Sequence, residues 1–326
     1  MTGGAGYIGS HVVKELCRQG YDVVILDDLS TGHEKLLLDV PFYRGDIADS
    51  DLVKRIVLAH QVEAVIHFAA KSLVAESMRV PERYFLENTA KSVQLFSALI
   101  QEGIRHVVFS STAAVYGIPD EVPIPETTDC RPVNPYGQSK LMIEQALYWL
   151  GQAYGVRWAA LRYFNAAGAS PDGELGEWHD PETHLIPLVL QTALGRRDEL
   201  LIYGNDYDTP DGTCIRDYIH VMDLATAHIA ALEGLRKGSL PSGPMNVGTG
   251  RGHSVREVVE TAMEVTGRTI PYRYVDRRPG DPPVLVAATD KIRRLLDWKP
   301  VRSDLRTMIA EAWKWHRKEC RKELNP

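Results

Sequence analysis

At 326 residues, with 44% hydrophobic and 25% charged side chains, the chain is long enough for two domains and ordinary in composition for a globular protein. A net charge of -6 excludes a general polyanion binder, so any phosphate must be met locally and no nucleic-acid partner is expected. Cys17, Cys130, Cys214 and Cys320 are scattered without a CxxC pair, and no apolar run reaches the ~18 residues of a membrane span, which argues against a zinc ribbon, a disulfide scaffold and a membrane partner. With neither the basic nor the apolar region of an export signal at its start, the chain reads as cytoplasmic.

The chain opens on "MTGGAGYIGS", whose Gly3, Gly6 and Gly9 lead into a candidate helix over Tyr7 to Gln19. Glycines at this spacing permit a tight turn, close backbone approach to a pyrophosphate and close helix–strand packing. The helix N-terminus then meets the negative charge with its amides. Such a loop follows a central strand of ~5 residues, and only Met1 and Thr2 precede it. The expectation is therefore that about four residues are missing upstream. Next comes the strand "YDVVILDD", Tyr21 to Asp28. Asp27 near its end is placed to accept hydrogen bonds from an adenosine ribose diol, and Asp28 beside it, with no Arg adjacent, selects NAD over NADP. Asp46 and Ile47, ending "FYRGDI", flank the adenine by the same topology, although a surface turn accounts for them equally well.

Apolar runs at Glu63 to Ala70, Arg105 to Thr112 and Arg157 to Asn165 read as buried parallel strands, separated by amphipathic helices at Asp51 to His60 and Ser139 to Tyr154. This alternation predicts βαβ units. After Asn165 the chain turns to Gly-, Pro- and Asp-rich segments, which places a boundary there: residues 1–165 bind the dinucleotide and 166–326 capture substrate. A helix over Val221 to Leu235 is expected to pack back on the first domain.

"NPYGQSK" sets Tyr136 and Lys140 one turn apart on a helix face, close after "SSTAAVYG" at the carboxyl edge of the sheet, where open α/β folds bind ligands. A neighbouring ammonium favours the ionised form of a phenol, which makes Tyr136 a candidate general base. Thr112 is placed to share a substrate hydroxyl with it. Without the glycine loop, a core Tyr and a surface Lys would be the plainer reading. His179 and His184, with Asp180 and Glu182 between them, suggest a metal site, but loop residues facing water explain them better, and no metal is expected.

Taken together, "TGGAGYIGSH", "SSTAAVYG", "NPYGQSK", "LRYFNAAGA", "HLIPLVLQ", "YGNDYDTPDGTCIRDYIHVMDLA", "NVGTG" and "RRPGD" resemble the extended short-chain dehydrogenase/reductase family from Thr2 to about His316. The resemblance implies a doubly wound parallel-sheet α/β (Rossmann) NAD domain with a smaller mixed α/β substrate domain. It implies an isomerase that interconverts UDP-glucose and UDP-galactose through a 4-keto sugar, as a homodimer with helices near Ser92 to Ile100 and Ile143 to Leu150 at its interface. It implies that Tyr136 is the base, that Lys140 holds the nicotinamide ribose, and that Thr112 takes a place often held by Ser. Tyr7, Ile8, Phe68, Ala69, Ala70, Asn88 and Tyr163 join the glycine loop around NAD on the same grounds. Asn165, His184, Leu185, Tyr203, Arg216, Arg278, Asp281 and Leu285 fall on the UDP-sugar, although ion pairing alone would also explain Arg216 or Arg278. Lys71 stands one position before the family's usual Lys, at Ser72, which leaves its pyrophosphate contact open. Alternatives are an epimerase of UDP-N-acetylglucosamine or a UDP-pentose, a nucleotide-sugar dehydratase, and a non-catalytic NAD-binding regulator.

Overall fold

A computed structural model of the protein describes residues 1–278 and 280–324. In chain order the first half comprises α1 (Tyr7–Arg18), β1 (Ile25–Asp27), β2 (Phe42–Arg44), α2 (Ser50–His60), β3 (Val65–His67), α3 (Val74–Ser77), α4 (Pro81–Tyr84), α5 (Lys91–Gln101), β4 (His106–Thr112), α6 (Pro135–Tyr154) and β5 (Arg157–Tyr163). The second comprises β6 (Asn165–Ala167), α7 (Leu185–Ala193), β7 (Leu200–Tyr203), β8 (Ile215–His220), α8 (Val221–Lys237), β9 (Gly243–Val247), β10 (Gly252–Ser254), α9 (Val255–Thr266), β11 (Tyr272–Val275), β12 (Val284–Leu285), α10 (Asp290–Leu296) and α11 (Leu305–Leu324).

The main sheet is parallel, in the order β2-β1, then Met1–Thr2, then β3-β4-β5-β9. Thr2 bridges Leu26 on one side and His67 on the other, so the two residues before the glycine loop occupy the central position of the sheet. Strands β1 and β3 are shorter than the apolar runs predict, three residues each, and pair with β2 and β4 respectively. One face of the sheet packs on α1 and α8 around Val12, Val108, Leu161 and Leu224. The other packs on α2, α5 and α6 around Val53, Phe96, Phe109 and Ile143. Helix α6 begins four residues before the predicted Ser139, because Pro135 takes the first helical position and the Asn134 side chain accepts from Gly137 N at 2.8 Å.

Strand β8 is the spine of a smaller mixed sheet. It pairs in parallel with β6 and β12 and antiparallel with β10, while β7 and β11 form a separate parallel pair. Beneath them α7, α9 and α11 enclose a core of Ile186, Leu190, Val258 and Met308. Strands β5 and β6 are separated by Phe164 alone, and β8 runs directly into α8. Among the described residues no helix is long and apolar enough to cross a membrane.

Three histidines are buried in the first-half core. His67 lies between Thr2 Oγ1 (2.6 Å) and Ser92 Oγ (2.8 Å), while His11 and His228 each bond one backbone carbonyl and leave Nε2 without a partner. Burial depresses them to about 3, 4 and 4 respectively. Below the unfolded value near 6.5 the unfolded chain takes up protons that the native protein refuses, so stability is full above pH 6.5 and falls as pH drops toward those depressed values. Each group contributes a slope of about 1.4 kcal/mol per pH unit, and three together about 4. Thermal melts from pH 7 down to pH 5 should show this steep loss; a flat profile would mean that the three rings are already charged or hydrated in the native state.

Candidate active site

Helix α1 starts at the end of the central strand with Gly6 as its cap, in extended conformation and with no side-chain cap bond, and no acidic residue stands in the first turn. Its first amides are therefore available to an anion at the cleft wall. Gly3 holds φ at 72°, and a Cβ there would lie 2.5 Å from Ala69 N. At Gly9 a Cβ would meet Gly3 O at 2.1 Å. At Gly6, by contrast, the nearest atom would be Gly3 O at 3.5 Å, so this glycine leaves its face open for a ligand rather than for packing. Asp27, buried at the end of β1, accepts from Ala5 N and Leu29 N, each at 2.9 Å. Burial raises its carboxyl, and the two amides offset part of that rise. An open glycine, an uncapped helix start and a carboxylate at the next strand end fit a dinucleotide.

The three glycines line a cavity of about 780 Å³ that also takes in Tyr7, Ile8, Phe68, Ala69 and Ala70. An adjoining cleft is bounded by Asp27, Asp46 and Ile47, with Lys71 on the border of both and its ammonium donating to Ser30 Oγ at 2.8 Å. Asn88 is the exception to the predicted set. It is fully buried behind the cavity wall, where its amide accepts from Lys71 N (2.7 Å) and donates to Lys71 O and Ser139 Oγ (3.0 Å each). It lines neither space and acts through the Lys71 backbone.

Thr112, Tyr136, Lys140 and Tyr163 meet in the same cavity at the carboxyl ends of β4 and β5 and the start of α6. Lys140 is buried, donates to Ser110 O at 2.8 Å and sits 4.8 Å from the Phe109 ring centre, and burial lowers it to about 7. The expected depression of the Tyr136 phenol is not what this geometry produces. Burial raises it, and the Thr112 hydroxyl brings it partly back. The Lys140 ammonium, turned toward the Ser110 carbonyl, is not among the groups that lower it. Ser110, unremarked in the sequence, also pairs its hydroxyl with Tyr163 OH at 2.7 Å; only its place on the predicted strand two residues before Thr112 signalled it.

From the second half the cavity collects Asn165, His184, Leu185, Tyr203, Arg216, Arg278, Asp281 and Leu285. Parallel pairing of β12 with β8 sets Leu285 directly beside Arg216. Arg216 is ion-paired with Asp281, and the Arg278 guanidinium lies 3.9 Å over the Tyr203 ring. His179 and Glu182 do not face water as expected: their side chains are only 25% and 5% exposed and converge with His184 on buried Glu177. Glu177 was missed because its meaning lies in this convergence, which linear spacing does not reveal.

Comparison with known proteins gives the family. Residues 1–248 match the model of the NAD dependent epimerase/dehydratase family. The chain is 50% identical over 317 residues to a UDP-glucose 4-epimerase of Halalkalibacterium halodurans, covering 97% of this chain and 95% of that one. It superposes with a TM-score of 0.92 and 47% identity on the crystal structure of UDP-glucose 4-epimerase from Brucella ovis in complex with NAD, covering 96% of each chain. A UDP-glucose-4-epimerase from Stenotrophomonas maltophila with bound NAD and formylated UDP-arabinopyranose gives a TM-score of 0.95 at 40% identity, covering 98% of each chain. With the glycine-loop cradle, the Tyr136–Lys140 face and a match over most of its length, the chain belongs to the NAD dependent epimerase/dehydratase family.

Proposed function

We propose that this chain interconverts UDP-glucose and UDP-galactose, oxidising the sugar at C4 to a 4-keto intermediate and reducing it again from the opposite face. The observation that carries the reading is one cavity joining the uncapped start of α1, the Thr112–Tyr136–Lys140 cluster and the Arg- and Asp-bearing wall of the smaller sheet. NAD held along the glycine loop supplies the hydride acceptor and, after oxidation of the sugar, the donor. The remaining work belongs to the chain. Tyr136 takes the proton of the 4-hydroxyl and later returns it, with the Thr112 hydroxyl holding the oxygen in line. Because burial raises this phenol, its ionised form needs positive charge nearby when substrate is bound; the cationic nicotinamide would supply it, with Lys140 one turn on holding the nicotinamide ribose.

Inversion requires the keto-sugar to turn over while the nucleotide stays anchored. Arg216 and Arg278 suit the diphosphate, Asp281 the uridine ribose, and Asn165, His184, Leu185 and Tyr203 complete the UDP end, leaving few polar groups for the hexose. Residues 1–165 thus serve the cofactor and 166–326 the UDP-sugar. A dehydratase would need an acid and a base beside Thr112; Ala113 and Ala114 hold those places in the cavity wall. The exposed Val93, Met142, Tyr148 and Trp149 on α5 and α6 support a homodimer through these helices.

Incubating the purified protein with UDP-galactose, while following product sugar and the reduced-nicotinamide absorbance, tests the reading. UDP-glucose should accumulate to equilibrium with no net NADH; bound cofactor without turnover would favour the non-catalytic regulator.

Leu285 gives a prediction on breadth. It lacks a phenol ring, so the sugar pocket should admit UDP-N-acetylglucosamine weakly beside the preferred hexoses. Leu285→Tyr should lower kcat/KM for the N-acetyl sugar by a further ~10 to 200-fold relative to UDP-galactose, the scale of one pocket contact. An unchanged ratio of the two sugars would remove Leu285 from the sugar pocket.

A further inference from the structure

We propose that Glu177, His179, Glu182 and His184 form a binding site for one divalent transition cation, with Zn²⁺ the best match, on the rim of the cofactor cavity. The four side chains come from one loop that ends at α7, where His184 is the cap residue. Each offers one donor atom, and these atoms all lie within 4.8 Å of one another. Zinc bound at ~2.0–2.1 Å in a tetrahedron separates its ligand atoms by about 3.3 Å. Here Glu177 Oε1 lies 3.3 Å from His179 Nδ1, His179 Nδ1 lies 3.6 Å from Glu182 Oε2, and His184 Nδ1 lies 3.9 Å from Glu182 Oε1. His184 Nδ1 and Glu177 Oε1 close the fourth side by direct contact. Three of these separations lie at or above the tetrahedral edge and the His184–Glu177 contact lies below it, so a bound cation would spread that pair and take one of the two Glu182 oxygens.

A second observation points the same way. His179 Nδ1 is shut off from water and makes no well-aligned hydrogen bond, although the carboxylate oxygens of Glu177 and Glu182 stand 3.3 and 3.6 Å from it. A cation seated between these donors gives the nitrogen a well-directed bond that the two carboxylates do not. The donor set, two imidazole nitrogens and two carboxylate oxygens, suits zinc better than Ca²⁺ or Mg²⁺, which call for more oxygens. Its two negative charges balance a divalent ion.

The site is placed to clamp rather than to catalyse. The His179 ring stands edge-on to Tyr7 of α1 at 6.3 Å, the Glu177 carbonyl accepts from Trp315 Nε1 of α11 at 3.3 Å, and His184 opens α7. A cation here ties the glycine-loop helix to two helices of the second half.

The test uses the full-length protein prepared without an affinity His tag. After removal of metal with a chelator, Zn²⁺ is titrated in competition with a chromogenic chelator, and melting is followed with and without the ion. One equivalent per chain should bind and raise the melting temperature. Co²⁺ in its place should give the intense visible bands of a tetrahedral site. His179→Gln and Glu182→Gln should each weaken Zn²⁺ binding by about tenfold or more, while circular dichroism confirms that they fold. Absence of a stoichiometric equivalent in the wild type, equal affinity in both variants, or a preference for Ca²⁺ or Mg²⁺ over Zn²⁺ would each overturn the proposal. Metal content and melting are read without substrate, so the outcome is independent of whether the protein epimerises UDP-galactose.

Discussion

Replacing Tyr136 by Phe is expected to lower kcat with UDP-galactose by about 10² or more, the contribution of a positioned general base, while UDP still binds. The change removes one oxygen and almost no volume. Tyr136 sits in the first turn of α6, whose start is fixed by the Asn134 cap and Pro135, so the ring should keep its place. The residues proposed for the nucleotide, Arg216 on β8 and Arg278 and Asp281 between β11 and β12, lie elsewhere in the chain and should hold UDP as before. Turnover by the Phe variant is measured beside UDP affinity by calorimetry. Undiminished epimerisation would reject Tyr136 as the proton-transfer group; loss of UDP binding together with activity would mean that the ring shapes the pocket instead.

The second large effect falls on stability. Arg162 of β5 and Glu144 of α6 are both only 4% exposed and form a bidentate pair, with Nη2–Oε2 at 2.5 Å and Nε–Oε1 at 3.0 Å. Ser111 Oγ donates to the same carboxylate at 2.5 Å, and Arg162 Nη1 donates to Tyr116 OH at 3.0 Å, which donates to Asn246 at 2.7 Å. Strands β4, β5 and β9 are thereby pinned to α6 next to Thr112 and one turn beyond Lys140. Glu144→Ala strands a buried guanidinium and should cost ~3–5 kcal/mol in chemical denaturation. The double change Glu144→Leu with Arg162→Met removes both charges and should cost less than the single one. A loss in Glu144→Ala below about 1 kcal/mol, the scale of an exposed pair, would show that the guanidinium finds water.

Neither residue of that pair was visible in the sequence as a partner of the other, since strand and helix bring together positions that no periodicity relates. What could be read were features with a local physical cause. Gly3 and Gly9 must be glycine because backbone atoms crowd them, and Tyr136 and Lys140 share a face because helical geometry requires it. Strands β4 and β5 showed as continuous apolar runs because both faces of the sheet are covered. Short strands such as β10 and β12 escaped notice, being two or three residues with no room for a pattern. Asn88 was assigned by resemblance alone, and its place behind the Lys71 backbone needed coordinates. The upward shift of the Tyr136 phenol likewise depended on how deeply the ring is buried, which sequence does not specify.

The junction at Phe164 has a mechanical meaning. Chain leaving the main sheet at Tyr163 enters the smaller one at Asn165, and returns from β8 into α8 with no residue between. A swinging door needs slack in its hinge, and these crossings offer a single residue and none. Any large rotation of one sheet against the other would have to tear strand pairing that begins at the crossing itself. The half-turn demanded by epimerisation is therefore thrown onto the ligand's own single bonds, between the sugar and the diphosphate, with the protein serving as a fixed bearing around a moving shaft.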